Sequence, residues 1–187
     1  MGKIVTSGEE VADVYQEQTP SEVELQFTAR PGGAPANVAV AVAKLGAQAS
    51  FVGRLGDDLF GDFILRALHA VGGETAAVRR EPPPTRTTLA FVEVSKDGNR
   101  EFTFYRSVPA ADELLAPEDI RRESLAGLRS RTSAASPSSR TRHARPRASL
   151  QLAIDMDVPV AVDVNPARTS LEQPRRIPSC SAGKRTA

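Results

Sequence analysis

Two adjacent glycines stand shortly before an asparagine in the stretch PGGAPANVAVAVAKLG, residues 31–46. Gly32 and Gly33 allow the backbone to approach a ligand closely, because no Cβ blocks the way. Asn37 offers a hydrogen-bond donor and an acceptor, which suits a sugar hydroxyl that also does both. The unpaired amides at the start of the following helix could hold a polar or anionic ligand. From these residues alone, a tight turn with a helix cap is as good an interpretation as a ligand-binding loop.

An acidic segment follows the first apolar run of the chain. Residues 3–7 predict a buried strand that ends at Gly8, so Glu9 and Asp13 should lie near the carboxyl end of that strand. Ligands of open α/β sheets bind at this end. Asp13 is therefore a candidate acceptor for a ligand hydroxyl, although a solvent-exposed loop carboxylate is the commoner reading of such a residue.

The elements that must position these residues alternate between strand and helix. Residues 37–45 are almost entirely Val and Ala and predict a buried helix that ends at Gly46. Residues 58–71 place apolar side chains at helical spacing, and Asp57 and Asp58 before them suit a helix cap better than a metal site. The order strand, helix, strand, helix predicts a doubly wound parallel α/β sheet.

Three further segments alternate between apolar and polar residues, which is the period of a half-exposed strand. They are residues 23–27, 87–94 and 101–106, and the sequence DGN between the last two predicts a hairpin turn. Amphipathic strands of this kind are typical of an antiparallel sheet outside the main core. We therefore expect a small antiparallel sheet that could serve as a lid.

Composition limits the classes of function. The chain has 187 residues, 40% of them hydrophobic, and a formal net charge of +1, so no overall field attracts nucleic acid or membrane. A single cysteine, Cys180, excludes an internal disulfide, and His69 and His143 fit no zinc-binding pattern, so we expect no such metal site. No apolar stretch has the length of a membrane span, and we expect a cytoplasmic protein.

The composition changes after residue 127. Residues 129–149 contain no Val, Ile, Leu, Met, Phe or Tyr but six arginines, and such a segment cannot bury enough apolar surface to offset its ordering entropy. Farther on, residues 158–164 predict a buried strand. We therefore divide the chain into a folded N-terminal part (1–127), a disordered segment (128–149), a residual α/β segment (150–171) and a disordered tail (172–187).

Taken together, these segments resemble the PfkB (ribokinase-like) family of carbohydrate kinases, and among its members the fructokinases most closely. The resemblance covers residues 3–120, nearly two thirds of the chain. It implies a ribokinase-like doubly wound parallel sheet with a small antiparallel β lid. The residues that carry it are GEEVAD (8–13), PGGAPANVAVAVAKLG with Gly53, Gly56, Asp57, Asp58 and Gly61, the hairpin TLAFVEVSKDGNREFTFYR (88–106), and the pair Ala111 and Asp112.

The resemblance implies an ATP-dependent sugar kinase that transfers the γ-phosphoryl group to a sugar hydroxymethyl oxygen, with Mg²⁺ assisting. A lid makes chemical sense in such an enzyme, because excluding water discourages ATP hydrolysis. The residues that match the family's sugar-binding positions are Asp13, Gly32, Gly33, Asn37, Arg106, and Tyr105 or Phe104. The residues similar to the family's DPNxR segment, near the transferred phosphate, are Asp163, Asn165 and Arg168.

The C-terminal third departs from the family's pattern. Phosphoryl transfer needs an oriented base and positive dipoles around the developing charge, and the family is similar throughout in supplying both from a DTxGAGD motif. This sequence contains no such motif, no Walker GxxxxGK[ST] loop and no NxxE metal element, so we assign no catalytic residue and no metal ligand. We expect a C-terminal portion that is truncated or disrupted, and a chain that is incomplete and inactive as a kinase.

Two other functions stay open at this point. A degenerate kinase could act as an interaction partner, and its lid strands, with Phe91, Phe102 and Phe104, could pair in a homodimer. The arginine-rich segment could instead contact nucleic acid, but no aromatic residue lies among its arginines for base stacking, and we expect no nucleic-acid partner. Fructose is the favoured sugar because the loop and lid resemble those of fructokinases, although a few pocket contacts decide between sugars.

Overall fold

The structure is a computed structural model, and it describes residues 3–17, 21–95, 97–120, 128–135 and 154–164. Within these ranges it contains nine strands, two α-helices and two short 3-10 helices. The helices are α1 (Ala34–Lys44) and α2 (Leu59–Ala70). The strands are β1 (Lys3–Ser7), β2 (Val11–Glu17), β3 (Gln26–Gly32), β4 (Ala49–Gly56), β5 (Val78–Glu81), β6 (Leu89–Val94), β7 (Arg100–Tyr105), β8 (Leu128–Ala135) and β9 (Val160–Val164).

Five strands form a parallel sheet in the order β5-β4-β1-β8-β9. The first strand lies where the sequence predicts it and occupies the middle of the sheet. It pairs with β4 from Ile4 opposite Ala49 to Ser7 opposite Val52, and with β8 along its other edge. The parallel pairing and the intervening helices confirm the predicted α/β class.

The parallel sheet is packed on both faces. Ala39 of α1 and Ile64 of α2 share one hydrophobic cluster with Phe51 of β4. Side chains on a strand alternate between faces, and on the opposite face Val5 packs with Ile120 in a second cluster. Both helices therefore bury their apolar faces against the same part of the sheet.

Helix α1 lies close to its predicted bounds but is less buried than its composition indicates. Ala36 and Ala39 are buried, whereas an exposed face carries Asn37, Ala41 and Lys44. The prediction that this helix is buried on all sides is therefore wrong. Ala exposes little apolar surface, so its presence on a helix face does not distinguish a core side from a solvent side.

Helix α2 confirms the prediction that an aspartate caps it. Asp58 Oδ1 accepts a hydrogen bond from the Gly61 amide at 2.9 Å, and Oδ2 accepts one from the Thr87 amide at 2.8 Å. Burial disfavours the charged form of Asp58, but the hydrogen bonds from Thr87 and Gly61 outweigh it and lower the pKa of this carboxyl. One side chain thus fixes both the start of α2 and the segment that leads into β6.

Four strands form a second sheet in the order β3-β2-β6-β7. The antiparallel hairpin of β6 and β7 confirms the prediction, with Gly98 at φ 78° in its turn. The prediction of a purely antiparallel sheet is wrong, because β2 and β6 run parallel and the sheet is mixed. Strand β2 was not predicted, because it occupies a segment that we expected to be a loop.

The positions of strands β2 and β3 differ from those that the local sequence pattern predicts, and the reason is the same for both. Val11, Ala12 and Val14 are all buried, so the inner half of β2 lacks the alternation that identifies an amphipathic strand. The strand expected at residues 23–27 lies instead at Gln26–Gly32, where it pairs with β2 along its whole length. Long-range pairing, which a local pattern does not contain, sets the position of both strands.

Strand β8 corrects the expectation that residues 128–149 are disordered. Residues 128–135 form a strand that pairs with β1 on one side and β9 on the other. Pairing on both edges satisfies the backbone donors and acceptors of a central strand whatever its side chains are, and Thr and Ser tolerate extended backbone. The remainder of the predicted segment, residues 136–149, lies outside the described residues, as does the tail at 172–187.

The strand predicted at residues 158–164 is confirmed as β9, which spans Val160–Val164 and pairs with β8. No helix in the described ranges is long and apolar enough to cross a lipid bilayer.

Asp119 anchors the segment that covers the second face of the parallel sheet. Its side chain is fully buried and accepts hydrogen bonds from Arg54 Nε at 2.7 Å and from the Ala116 amide at 2.8 Å. Arg79 Nε lies 2.9 Å from its other oxygen. This carboxylate therefore ties strands β4 and β5 to the chain that precedes Ile120.

We predict that Asp119→Ala destabilises the fold by about 3 kcal/mol, because it leaves two arginines without their buried partner. The free energy of unfolding can be measured by urea denaturation followed by circular dichroism. Asp57→Ala is the matched control, since the Asp57 side chain pairs with Arg80 at 3.1 Å but is 67% exposed. That control should change stability by less than about 1 kcal/mol. Equal losses in the two variants would contradict the anchoring role of Asp119.

Candidate functional site

Asp13 of strand β2 lies next to Gly32, which is the last residue of strand β3. Helix α1 begins two residues later. A Cβ placed on Gly32 would lie 2.4 Å from Asp13 Cγ and 2.5 Å from each carboxylate oxygen. The carboxylate therefore occupies the space that a side chain at position 32 would fill. Asp13 lies in strand β2 and not in the loop that the sequence indicated, yet it still meets the glycine pair.

The Asp13 carboxyl is half-buried at this position. Burial raises its pKa above the usual value, and the charge of Arg100 acts in the opposite direction. A partly desolvated carboxylate of this kind forms stronger hydrogen bonds with ligand hydroxyls than a fully solvated one does.

Gly33 packs directly on the turn that joins β1 to β2. Its φ is +97°, and a Cβ there would lie 2.6 Å from the Glu9 carbonyl oxygen and 2.9 Å from Glu10 Cα. No L side chain fits both the backbone conformation and the space. Gly33 is thus required to bring the start of α1 against the carboxyl end of β1.

The start of α1 presents backbone amides next to the two glycines. Gly33 is the N-cap residue, no side chain caps the helix, and the Asn37 amide donates to the Gly33 carbonyl oxygen at 3.0 Å. The Asn37 side chain is exposed. The prediction that Asn37 and the first amides of α1 border the glycine loop agrees with this geometry.

Arg106 follows strand β7 and reaches the turn between β1 and β2. Its Nη2 donates to Glu9 Oε2 at 2.9 Å and its Nη1 donates to Asp112 Oδ2 at 2.8 Å. The Thr88 hydroxyl donates to the other Asp112 oxygen at 2.5 Å. Burial disfavours the charged guanidinium, but Asp112 and Glu9 outweigh it and raise the pKa of Arg106.

The ring of Phe104 contacts this arginine, and Phe91 and Tyr105 form a second aromatic contact on the same sheet. The Arg106 guanidinium lies 4.9 Å from the centre of the Phe104 ring, and the Tyr105 ring packs edge-on against Phe91 at 5.0 Å. Tyr105 and Arg106 also line an open cavity of about 450 Å³, and the residues that share it are Asp58, Leu59, Phe60, Arg86, Thr87, Leu89 and Ser107.

The structure therefore brings the predicted site residues together in two groups. Asp13, Gly32, Gly33 and Asn37 surround the start of α1, while Tyr105 and Arg106 line the cavity near the start of α2. Glu9 connects the groups, because its carbonyl oxygen faces Gly33 and its carboxylate binds Arg106. Of the predicted phosphate-proximal residues, Asp163 lies in β9, and Asn165 and Arg168 lie outside the described residues.

Glu10 is a buried carboxyl group that the sequence pattern does not reveal. It is 1% exposed, and neither of its carboxyl oxygens has a hydrogen-bond partner in the described part of the chain. Burial raises its pKa from 4.5 to about 8. Two adjacent glutamates ordinarily indicate a solvated turn. The neighbouring sequence therefore does not distinguish the buried Glu10 from an exposed glutamate.

Comparisons with known proteins identify the family of the chain. The family model described as "pfkB family carbohydrate kinase" matches residues 1–175. The probable fructokinase-3 of Arabidopsis thaliana is 45% identical over 126 residues, which are 65% of this chain and 35% of that protein. The chain thus spans about a third of the length of the curated relatives it matches.

Solved structures share the fold. A fructokinase from Xylella fastidiosa with bound ATP is 33% identical with a TM-score of 0.77, over 88% of this chain and 52% of that one. A 2-dehydro-3-deoxygluconokinase from Thermotoga maritima is 25% identical with a TM-score of 0.76, over 88% of this chain and 51% of that one. The parallel sheet with its second sheet and glycine-bordered helix defines a ribokinase-like fold. The chain belongs to the pfkB family of carbohydrate kinases.

The buried carboxyl of Glu10 predicts how stability depends on pH. Glu10 binds its proton more tightly in the folded state, so the free energy of unfolding should fall as the pH rises from 4.5 to about 8. The difference has an upper limit of about 5 kcal/mol, since one pKa unit corresponds to about 1.4 kcal/mol. Urea denaturation at a series of pH values measures the slope.

The variant Glu10→Gln supplies the control for this pH dependence, because the amide has nearly the same shape and no proton to lose. The part of the slope that Glu10 contributes should be absent from this variant, which leaves the contribution of other groups such as Asp13. A wild-type slope that persists unchanged in Glu10→Gln would show that another group is responsible.

Proposed function

We propose that this chain provides the sugar-binding part of an ATP-dependent, fructokinase-like kinase, which transfers a phosphoryl group to a sugar hydroxymethyl oxygen. The observation that carries the proposal is the Asp13 carboxylate seated on Gly32, beside the Gly33 contact that places the start of α1. Family membership and the fructokinase relatives support it.

The residues around Asp13 suit a ligand rich in hydroxyl groups. A carboxylate accepts hydrogen bonds from hydroxyls, the Asn37 side chain both donates and accepts, and the first amides of α1 donate. Sugar hydroxyls need this mixture of partners. The conformation of Gly33 keeps side chains out of the loop, so a ring could lie against the backbone.

The second sheet has the position that a lid requires. Its β2 strand begins at the glycine loop, and Arg106 at the end of β7 is tied to Glu9 next to that loop. In the proposed complex the sheet excludes water from the sugar and Arg106 and Tyr105 lie at its inner margin, which would favour transfer over hydrolysis.

ATP and Mg²⁺ belong to the proposed reaction of the family. Among the described residues no group of three or more His, Cys, Asp or Glu side chains could hold a metal ion, whereas Mg²⁺ in kinases is ordinarily held by one or two carboxylates together with substrate phosphates. The sequence also lacks the DTxGAGD motif. We therefore propose that this chain binds a sugar without phosphorylating it, and we keep Asp163, Asn165 and Arg168 as predicted phosphate-proximal residues.

A homodimer through the second sheet is part of the proposal. Strand β7 is an edge of that sheet in the described structure, and Phe102 and Phe104 stack on it with centroids 6.3 Å apart while 50% and 39% exposed. An exposed edge with neighbouring aromatic rings offers both backbone hydrogen bonds and apolar area to a second copy.

Sugar binding should depend on Asp13. We expect the full chain to bind fructose weakly by isothermal titration calorimetry, and Asp13→Asn to lower the affinity about tenfold or more, because a charge-assisted hydrogen bond is lost. Asp97→Asn, in the exposed hairpin turn, should bind like the wild type. A coupled assay with ATP and fructose should show no turnover above background.

Equal affinities for fructose in the Asp13→Asn and Asp97→Asn chains would show that Asp13 does not bind the sugar. Sugar-dependent ATP turnover that disappears in Asp13→Asn would overturn the claim that the chain is catalytically incomplete.

The dimer is tested by placing a charge on the aromatic edge. Phe102→Asp should weaken self-association at least about tenfold in sedimentation velocity, since a carboxylate would be desolvated at an apolar interface. Leu45→Asp is the control, because Leu45 is also exposed but lies at the end of α1 on the other part of the fold. A wild-type chain that stays monomeric at tens of micromolar would refute this part of the proposal.

A further inference from the structure

The guanidinium of Arg106 is enclosed by two carboxylates. Glu9 and Asp112 each accept a hydrogen bond from a different terminal nitrogen, at 2.9 and 2.8 Å. The side chain of Arg106 is 14% exposed, that of Glu9 13% and that of Asp112 3%. Water therefore screens the charges of these side chains little. The Thr88 hydroxyl fixes Asp112 from the far side, which makes its position independent of a ligand.

This cluster carries more negative than positive charge. Two carboxylates face one guanidinium, and Asp13 adds a third carboxyl group on the other side of the glycine loop. The cluster borders the loop because Glu9 contributes to both, through its carbonyl oxygen at Gly33 and its carboxylate at Arg106. A ligand at the loop therefore meets three carboxylates, those of Glu9, Asp112 and Asp13, of which two are paired with Arg106 while the charge of Arg100 acts on the third.

We infer that Glu9 and Asp112 determine substrate specificity by making this site select neutral sugars over sugar acids. The inference rests on the proposed sugar-binding function and adds the charge class of the substrate. A ligand carboxylate that approached Arg106 would lie next to Glu9 and Asp112, which already accept from its two terminal nitrogens in a weakly screened region. Like charges placed together in this way reject a wrong partner more strongly than a missing contact does.

A neutral sugar meets no such penalty. Its hydroxyls can donate to Asp13 while the ion pairs of Arg106 remain formed. The arginine then serves to hold the carboxylates and the end of β7 in place. Each of its terminal nitrogens donates to one of these carboxylates.

The experiment measures binding by isothermal titration calorimetry with two probes of similar size, D-fructose and the anion 2-dehydro-3-deoxy-D-gluconate. The full chain is compared with Glu9→Gln, Asp112→Asn and a control, Glu93→Gln, which removes an exposed carboxylate of β6 that does not face Arg106. We expect the wild type and the control to prefer fructose. Each test variant should shift the ratio of the two affinities toward the anion by about tenfold or more, and added salt should reduce that shift.

The outcomes separate this inference from the function on which it rests. A wild type that binds fructose, with an affinity ratio unchanged in both test variants, overturns the inference and leaves the proposed function standing. A wild type that binds neither probe overturns both. Thermal melting shows whether a variant folds, and if Asp112→Asn does not fold, Glu9→Gln alone decides, since its amide keeps one acceptor for Arg106.

Discussion

The contact between Gly33 and the turn that joins β1 to β2 holds the rest of the site in one arrangement. The Gly33 backbone lies so close to Glu9 and Glu10 that a single added carbon would overlap them. Strand β1 lies in the middle of the parallel sheet and β2 in the second sheet, so this contact fixes α1 relative to both sheets. The position of Asp13 beside Gly32 follows from it, because β2 begins directly after the turn.

Features with local signals could be predicted from the sequence. Strand β1, the Asp58 cap of α2 and the hairpin around Gly98 each depend on a few neighbouring residues, and each lies where the sequence places it. The glycine pair can be identified from the sequence for the same reason, because glycine adopts a positive φ, such as that of Gly33, more readily than other residues do. For these elements, composition and spacing contain nearly all the information that the fold uses.

Features that depend on distant partners could not be predicted in this way. Strand β8 contains Ser, Thr, Ala and Arg, and its place between β1 and β9 is set by pairing with strands far away in the sequence. The same holds for β2, whose parallel neighbour β6 is also distant along the chain. Glu10 belongs to this class as well, because its burial results from packing that no neighbouring residue indicates.

The proposed charge selectivity and the proposed closure of the second sheet depend on the same atoms. Thr88, Asp112, Arg106 and Glu9 form one continuous series of hydrogen bonds from β6 to the turn that carries the Gly33 contact. A ligand that took Arg106 from Glu9 would also detach the end of β7 from that turn. Binding an acid would therefore weaken the attachment of the lid at the moment when exclusion of water matters most, whereas a neutral sugar leaves the series intact. In the proposed complex, selectivity against anions and closure over the sugar would both depend on this one buried ion-pair cluster.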